Sequence, residues 1–213
     1  MRSRSSQARR LDQLRRFDRQ FRRPRAPHRI AGVDEAGRGP LAGPVVAGAV
    51  VLRRSAFTVP VDDSKRLSPR ARRRAFFAIL ACADVGIGIV EPSAIDTRNI
   101  FHASLEAMRQ AVLHLPESPD RLLIDGPWTV PGLDLPMTPV VHGDRRSLAI
   151  ACASIVAKVV RDELMCWYDR EHPVYGFARH KGYPTAAHLA ALVAHGPSPI
   201  HRRSFRPVAA LLT

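Results

Sequence analysis

Four acidic residues are placed along the sequence where their carboxylates could meet. Asp34 and Glu35 close a predicted strand and precede a glycine-rich turn, and Asp125 and Asp144 each follow a separate predicted strand with a glycine beside them. Ligand sites in α/β sheets gather at strand ends, and glycine lets a backbone approach a substrate closely. This arrangement predicts one cluster of four carboxylates.

Such a cluster predicts a particular chemistry. Carboxylate oxygens are the ligands that Mg²⁺ and Mn²⁺ prefer, whereas no His/Cys cluster with zinc spacing occurs in the sequence. Grouped carboxylates repel one another unless a cation neutralises them. Two divalent ions roughly 3.5–4 Å apart could activate a water molecule and stabilise the leaving 3′-oxygen in phosphodiester hydrolysis. A single Asp-Gly is more often a turn, so the prediction depends on all four acids together.

Strands and helices that alternate along the chain must position these acids, and the alternation predicts an α/β domain. The predicted strands cover residues 29–35, 45–52, 85–90, 121–124 and 138–141. The predicted helices cover residues 69–82, 93–99, 100–115, 147–171 and 208–212, with one more between the segments GFARHKGYPT and HGPSPIHRRSFRP. Ser68 and Pro69 form a typical helix start, an N-cap followed by proline at the first helical position.

The charge is unevenly distributed. The formal net charge is +14, which predicts a polyanionic partner, and residues 1–29 contain 11 Arg against 2 Asp. Because residues 1–28 carry few apolar side chains, we predict a mobile basic arm there, with a short helix near residues 11–21. An acid-poor, Arg-rich start also resembles a transit peptide. The folded catalytic domain is expected to cover residues 29–213 and to end in a helical extension.

Membrane insertion and a disulfide framework are not expected. The longest apolar stretch, Leu41–Leu52, is too short and too interrupted by glycine and proline to span a bilayer. Cys82, Cys152 and Cys166 form no CxxC pair and lie in apolar helical patterns, which is typical of reduced thiols. We therefore expect a cytoplasmic monomer without a membrane contact or an obligate protein partner.

Seven segments of the sequence, taken in order, are similar to the recurrent blocks of the ribonuclease HII family. They are VDEAGRGPLAGPVVAGAVVL, DDSKRLS, IDTRNI, LLIDG, HGDRRSLAIACASIVAKVVRDELM, YGFARHKGYPT and HRRSF, within about residues 30–207. The resemblance implies a ribonuclease-H-like mixed five-stranded sheet flanked by helices, with a C-terminal helical segment. It also implies hydrolysis of the RNA strand of RNA–DNA hybrids and cleavage 5′ to ribonucleotides embedded in duplex DNA. The expected products carry 5′-phosphate and 3′-hydroxyl ends, and the expected role is the removal of ribonucleotides and RNA primers.

The resemblance assigns roles to individual residues. It implies that two Mn²⁺ or Mg²⁺ ions are held by the four catalytic acids, Asp34, Glu35, Asp125 and Asp144. Among them, Asp34 and Asp125 are the leading candidates for shared ligands. The loop Gly37-Arg38-Gly39 is expected to place its backbone at the ribose 2′-hydroxyl, the group that separates RNA from DNA.

Tyr183 and two lysines complete the expected substrate contacts. Tyr183 of KGYPT is expected to stack on the adjoining deoxyribose. Lys65, Lys158 and Lys181 are the only lysines among 33 basic residues, and we expect Lys65 and Lys181 to contact phosphates. The alternative is that they are ordinary solvated charges. Arg202, Arg203 and Ser204 are expected either to contact the nucleic-acid backbone or to form a charged C-terminal turn.

The sequence disfavours four other functions. A nucleotide-binding module is disfavoured because GRGPLAG lacks GxGxxG spacing and precedes a predicted strand instead of a helix. A non-enzymatic basic binding protein would not need four grouped acids, which repel phosphate. A ribonuclease of the HIII or HI type is disfavoured by the GRG loop followed by GYPT, and no GxSxG elbow supports serine-hydrolase chemistry.

Overall fold

A five-stranded mixed sheet forms the centre of the computed structural model, which describes residues 4–21, 29–54 and 57–212. The strands are β1 (Ile30–Ala36), β2 (Val45–Leu52), β3 (Ala83–Val90), β4 (Arg121–Asp125) and β5 (Met137–Val140), in the spatial order β3-β2-β1-β4-β5. The strands β1, β2 and β3 pair antiparallel, whereas β4 lies parallel to both β1 and β5. The predicted five-stranded mixed sheet is confirmed.

Helices cover both faces of this sheet. They are α1 (Arg4–Arg19), α2 (Pro69–Cys82), α3 (Pro92–Arg98), α4 (Ile100–Leu113), α5 (Leu148–Glu171), α6 (Phe177–His180), α7 (Ala186–His195) and α8 (Arg206–Ala209). The start of α2 agrees with the sequence signal, because the Ser68 side chain accepts from the Ala71 N–H and Pro69 follows the cap. The last helix, α8, begins two residues before the predicted start at 208 and ends three residues before the predicted end at 212.

Two hydrophobic layers hold the helices on the sheet. Ala31 and Val33 of β1 pack with α4 on one face, while Val50 of β2 packs with α2 and α5 on the other. Glycine permits unusually close approach on both faces. A Cβ at Gly32 would lie 2.1 Å from the backbone of α5, and a Cβ at Gly88 would lie 1.9 Å from the backbone of α4. The main chains of α5 and β1 therefore lie in direct contact, which places α5 beside the acidic end of β1.

The N-terminal helix departs from the predicted mobile arm. Within α1, Leu14 is fully buried and Leu11 is 7% exposed, and both pack in the cluster formed by α2 and α5. The Asp18 side chain accepts from the Ala149 N–H at the start of α5. Residues 4–21 are thus part of the folded domain, because apolar side chains at helical spacing outweigh the basic composition that suggested an arm. The remainder of the predicted arm, residues 1–3 and 22–28, lies outside the described residues.

The helices and the cysteines concern two further expectations, a membrane span and a disulfide framework. None of the helices in the described ranges is both long enough and apolar enough to cross a bilayer. All three cysteines are free thiols: Cys152 is buried in α5, and Cys82 and Cys166 are half-buried.

Candidate active site

The sheet brings three of the four acids to one edge. The strands β1 and β4 run parallel with Val33 opposite Ile124, so Asp34 and Asp125, each the next residue, lie at the same end of the sheet. Glu35 follows Asp34 in β1. Asp144 lies in the short 3₁₀ turn Gly143–Arg145 that follows β5, the other parallel neighbour of β4. Parallel strands end at a common edge, which is the physical reason for the convergence.

A single cavity of about 400 Å³ contains all four acids. The rest of its lining comes from the loop after β1, the turn before α2, the centre of α5 and the segment after α6. The lining residues are Asp34, Glu35, Ala36, Gly37, Arg38, Gly39, Ser64, Lys65, Asp125, Asp144, Ser154, Lys158 and Tyr183. Apart from the C-terminal segment Arg202–Ser204, ten residues were predicted to bind metal or substrate, and the structure places nine of them in this lining. Lys181 is the exception.

Backbone donors orient two of the carboxylates. Asp34 Oδ1 accepts from the Glu35 N–H at 2.7 Å, and Asp125 Oδ1 accepts from the Gly143 N–H at 2.6 Å. The second bond joins the end of β4 to the turn that carries Asp144, so it fixes that turn against the strand. Asp125 keeps its other oxygen for a further partner, whereas Asp34 also accepts from Ser154.

Burial and mutual repulsion raise the pKa values of the acids on β1. The pKa of Asp34 is well above its ordinary value because the group is buried and lies near the charges of Glu35 and Asp125, although a hydrogen bond from Ser154 opposes this. Burial also raises the pKa of Glu35, against the opposing effect of Arg38, whose Nη1 lies 3.4 Å from Glu35 Oε1. The negative charge at this edge is therefore poorly neutralised by the protein.

Asp144 has similar surroundings. Burial raises its pKa first, and the nearby carboxylates of Asp63 and Asp125 raise it further, while Lys65 and Arg145 lower it. Asp63 is itself fully buried and its side chain lies 3.2 Å from Arg145 Nε. A fifth carboxylate, which sequence reasoning did not single out, thus contributes to the electrostatics of the cluster.

The donor set fits a hard divalent cation. The cavity is lined by four carboxylates and by no histidine or cysteine, and three of those carboxylates have raised pKa values. Within the described ranges no three such side chains already lie close enough to form a preassembled metal cluster. A cation held jointly would require these carboxylates to lie closer together than they do here, and it would offset their mutual repulsion.

The loop after β1 and Tyr183 form the wall beside the acids. Arg38 and Gly39 are exposed, and Tyr183 is 42% exposed. A Cβ at Gly39 would lie 3.6 Å from Tyr183 Cε1, so the aromatic ring lies directly against the loop. These predicted substrate contacts are therefore adjacent to one another and open to the cleft.

The two predicted phosphate-contacting lysines differ in position. Lys65 is exposed, lines the cavity and lies near Asp144. Lys181 is half-buried outside this cavity, and its Nζ donates to the Ala178 carbonyl at 2.7 Å and to Cys166 Sγ at 2.9 Å. The phosphate contact expected of Lys181 thus has no support from its position, because its ammonium already binds protein groups.

The sequence did not predict the positions of four residues that lie in or beneath the site. Ser154 and Lys158 of α5 line the cavity, and Lys158 Nζ binds Asp162 Oδ1 at 2.6 Å. Arg161 and Arg202 are almost fully buried, at 1% and 0% exposure, and they hold the loop after β1 from beneath. The expectation that Arg202 contacts the nucleic-acid backbone is therefore wrong. A signal for Arg161 was present, since it lies four residues from Ala157 and from Met165 on the buried face of α5.

Comparisons with known proteins identify relatives of this chain by sequence and by fold. The family model described as Ribonuclease HII matches residues 31–208. The ribonuclease HII of Maricaulis maris (strain MCS10) is 55% identical over 184 residues, which cover 86% of this chain and 84% of that protein. Among solved structures, the ribonuclease H2 from Pyrococcus horikoshii OT3 is similar with a TM-score of 0.73 and 26% identity, over 86% of this chain and 96% of that one.

A more distant structure shares the fold. Bst-RNase HIII in complex with Mn²⁺ matches with a TM-score of 0.66 and 18% identity, over 87% of this chain and 69% of that chain. The alternatives of a nucleotide-binding module and of a non-enzymatic binding protein are excluded by the family match, and the HII type is favoured over HIII by the matching family model. The chain therefore belongs to the ribonuclease HII family of ribonuclease H endonucleases.

Proposed function

We propose that this endoribonuclease, which acts on RNA–DNA hybrids as its family does, also cuts on the 5′ side of a single ribonucleotide embedded in duplex DNA. The products would carry 5′-phosphate and 3′-hydroxyl ends. The observation that carries the proposal is the cavity in which four carboxylates face an exposed glycine loop and a tyrosine ring. Removal of misincorporated ribonucleotides and of RNA primers is the cellular role that such an activity would serve.

The four acids would hold two divalent ions, Mn²⁺ or Mg²⁺. When bound, the ions would supply an activated water and charge stabilisation at the leaving 3′-oxygen. The chain contributes ligand placement: Asp34 and Asp125 lie on adjacent parallel strands, as expected for shared ligands, with Glu35 and Asp144 to either side. The raised pKa values of Asp34, Glu35 and Asp144 support this assignment, because a nearby cation would offset both the burial and the carboxylate repulsion that raise them.

Recognition of RNA would come from the loop Gly37-Arg38-Gly39 and Tyr183. A 2′-hydroxyl both donates and accepts hydrogen bonds, so backbone groups on an exposed loop can distinguish ribose from deoxyribose. An aromatic face next to that loop accepts any adjoining sugar and base without sequence preference. Lys65, exposed at the cavity, is a suitable phosphate contact.

Exposed arginines of α1 would add affinity that does not depend on nucleotide sequence. The Arg16 side chain is 75% exposed, and Arg9, Arg16, Arg145 and Arg146 line one surface cleft between α1 and the turn after β5. Arg145 directly follows Asp144, so this cleft borders the turn that carries one of the four acids. Because α1 is packed on the core, substitution of Arg16 by glutamine tests its contribution better than deletion of residues 1–28, which would remove buried leucines. The expected result is weaker hybrid binding with a smaller salt dependence.

The decisive experiment is a cleavage assay on duplex DNA that contains one ribonucleotide. The purified chain is incubated with Mn²⁺, Mg²⁺ or EDTA, and the cut position and end groups are mapped. Cleavage is expected with a divalent ion and not with EDTA. The Asp34→Asn variant is expected to lose activity, because the change removes one ligand charge and preserves side-chain size.

The matched control is Asp134→Asn, which makes the same chemical change at an exposed residue between β4 and β5. It is expected to cleave at the wild-type rate. Cleavage that persists in EDTA, or that survives Asp34→Asn, would contradict the metal assignment. A chain that cuts long hybrids and leaves the single ribonucleotide intact would contradict the proposed specificity.

A further inference from the structure

Arg202 is the centre of an unusual set of contacts beneath the glycine loop. Its Nε donates to the Gly43 carbonyl, Nη1 to those of Arg38 and Pro40, and Nη2 to those of Gly37 and Gly43, over 2.6 to 3.0 Å. These five bonds use every N–H that a guanidinium has. The side chain has no exposed surface, so these carbonyls take the place of water around a buried cation.

Arg161 of α5 supports the same loop through a second set of carbonyls. It donates to the carbonyls of Pro44, Lys181 and Ala42 at 2.9 to 3.0 Å. A Cβ at Gly37 would lie 2.1 Å from Arg161 Nε, and the φ angle of Gly37 is +100°. Glycine is needed there both for the backbone angle and for the approach of the guanidinium.

The direction of the carbonyls decides the direction of the amide groups. In a trans peptide the C=O of one residue and the N–H of the next point to opposite sides, and the described residues contain no cis peptide. Since the carbonyls of Gly37 and Arg38 point at Arg202, the N–H groups of Arg38 and Gly39 point away from it. Within the part of the chain that the structure describes, neither N–H has a protein acceptor. Both are therefore available on the exposed side of the loop.

The neighbouring residue, His201, reaches Tyr183 through a second histidine. The His201 Nδ1 accepts from the Ser198 N–H at 2.9 Å, so the proton of its ring lies on Nε2. That Nε2 donates to His188 Nε2 at 3.0 Å, and His188 Nδ1 then donates to the Tyr183 carbonyl at 2.9 Å. These hydrogen bonds identify the accepting atom at each step, so they assign the tautomers: the proton lies on Nε2 of His201 and on Nδ1 of His188.

Adjacent residues of one segment thus hold two separate parts of the cleft. We propose that the segment Ser198–Arg202 is a positioning element for ribonucleotide recognition: Arg202 turns the amide groups of the glycine loop toward the substrate, and His201 holds Tyr183 in register with them. Backbone contacts also join this segment to the loop after β1, since the Arg202 N–H donates to the Leu41 carbonyl at 2.8 Å and Ala42 pairs with His201. Neither Arg202 nor His201 touches the substrate in this role. The inference rests on the proposed function, because it assumes that backbone groups of the loop Gly37-Arg38-Gly39 bind the ribose 2′-hydroxyl.

The test variant is Arg202→Lys, which keeps the charge and replaces five fixed donors by three rotatable ones. Its matched control is Arg170→Lys, the same change at an exposed position on the last turn of α5. Circular dichroism and thermal melting establish the folded fraction. The kinetic constants are then measured in Mn²⁺ on duplex DNA with one ribonucleotide, and the inhibition constant of the same duplex made entirely of DNA is measured in competition.

Arg202→Lys is expected to lower kcat/KM roughly 100-fold per folded molecule, because small displacements of positioned groups carry penalties of that order. The inhibition constant of the all-DNA duplex is expected to stay within about twofold of wild type, since that duplex has no 2′-hydroxyl to read.

Each outcome decides the question. Wild-type kcat/KM in a folded Arg202→Lys chain overturns the inference, and so does a loss of kcat/KM matched by equal weakening of all-DNA binding. If the lysine variant does not fold, His201→Phe, which keeps an aromatic side chain and removes the ring nitrogens, tests the same segment by the same two measurements. Selective loss of ribonucleotide cleavage supports the inference, and unchanged selectivity overturns it. A wild-type chain that does not cleave the substrate at all overturns the proposed function instead.

Discussion

Truncation of Leu14 tests whether α1 belongs to the folded domain. The Leu14 side chain is fully buried against residues of α2 and α5, and it lies in the part of the chain whose composition predicts a mobile arm. Leu14→Ala removes three carbons, which at roughly 0.8 kcal/mol each amounts to about 2.4 kcal/mol of lost burial. The cavity left behind raises the expected loss in the free energy of unfolding to about 3 kcal/mol. For a chain of this length that loss lowers the melting temperature by roughly 6–12 °C.

The assay is denaturant unfolding followed by circular dichroism, with thermal melting as a second measurement. Gln13→Ala, on the exposed side of the same helix, is the control and is expected to change the free energy of unfolding by less than about 0.5 kcal/mol. Equal stability of Leu14→Ala and Gln13→Ala would refute the docking of α1. Residues 4–21 would then behave as the independent basic arm that their composition suggests.

Three further predictions concern the active site and its support. In EDTA at neutral pH, Asp34→Asn should melt at a higher temperature than the wild type, because it removes a buried charge whose pKa is raised. Mn²⁺ should reverse that order by stabilising only the wild type. A variant that melts at a lower temperature in EDTA would contradict the idea that the Asp34 charge destabilises the fold. Gly39→Ala should melt as the wild type does, since its Cβ would make an ordinary 3.6 Å contact with the Tyr183 ring, yet it should lower kcat/KM by filling the substrate side of the loop; unchanged kinetics would show that no substrate group approaches there. Burial, followed by the nearby His188, lowers the pKa of His201 from 6.5 to about 4, so the folded state resists a proton that the unfolded chain accepts. The free energy of unfolding should therefore fall by up to about 3 kcal/mol as the pH decreases from about 6.5 to about 4, and melting curves of His201→Phe should lack that decrease.

The order of strands, helices and acidic residues was accessible from the sequence. Local signals were sufficient for α2, where Ser68 and Pro69 mark the start, and for the strands that carry Asp34 and Asp125. These signals act within a few residues, through backbone preferences and alternating burial. The ordered similarity to ribonuclease HII then implied both the fold, which the structure and the comparisons confirm, and the roles of the individual acids, which stay predictions.

Contacts between distant segments were decided by the tertiary structure alone. The basic composition of residues 1–28 concealed the leucines that dock α1, and the charge of Arg202 suggested a phosphate contact where the structure has a buried support for the loop after β1. Lys181, expected at a phosphate, lies outside the cavity and binds the Ala178 carbonyl and Cys166, and its phosphate contact stays a prediction. In each case the residue type specifies what a side chain can bind, whereas the choice among water, phosphate and protein carbonyl depends on which groups the fold places beside it. Residue type and spacing therefore determined the chemistry available to this chain, and long-range packing determined which groups line the cleft and which hold it in shape.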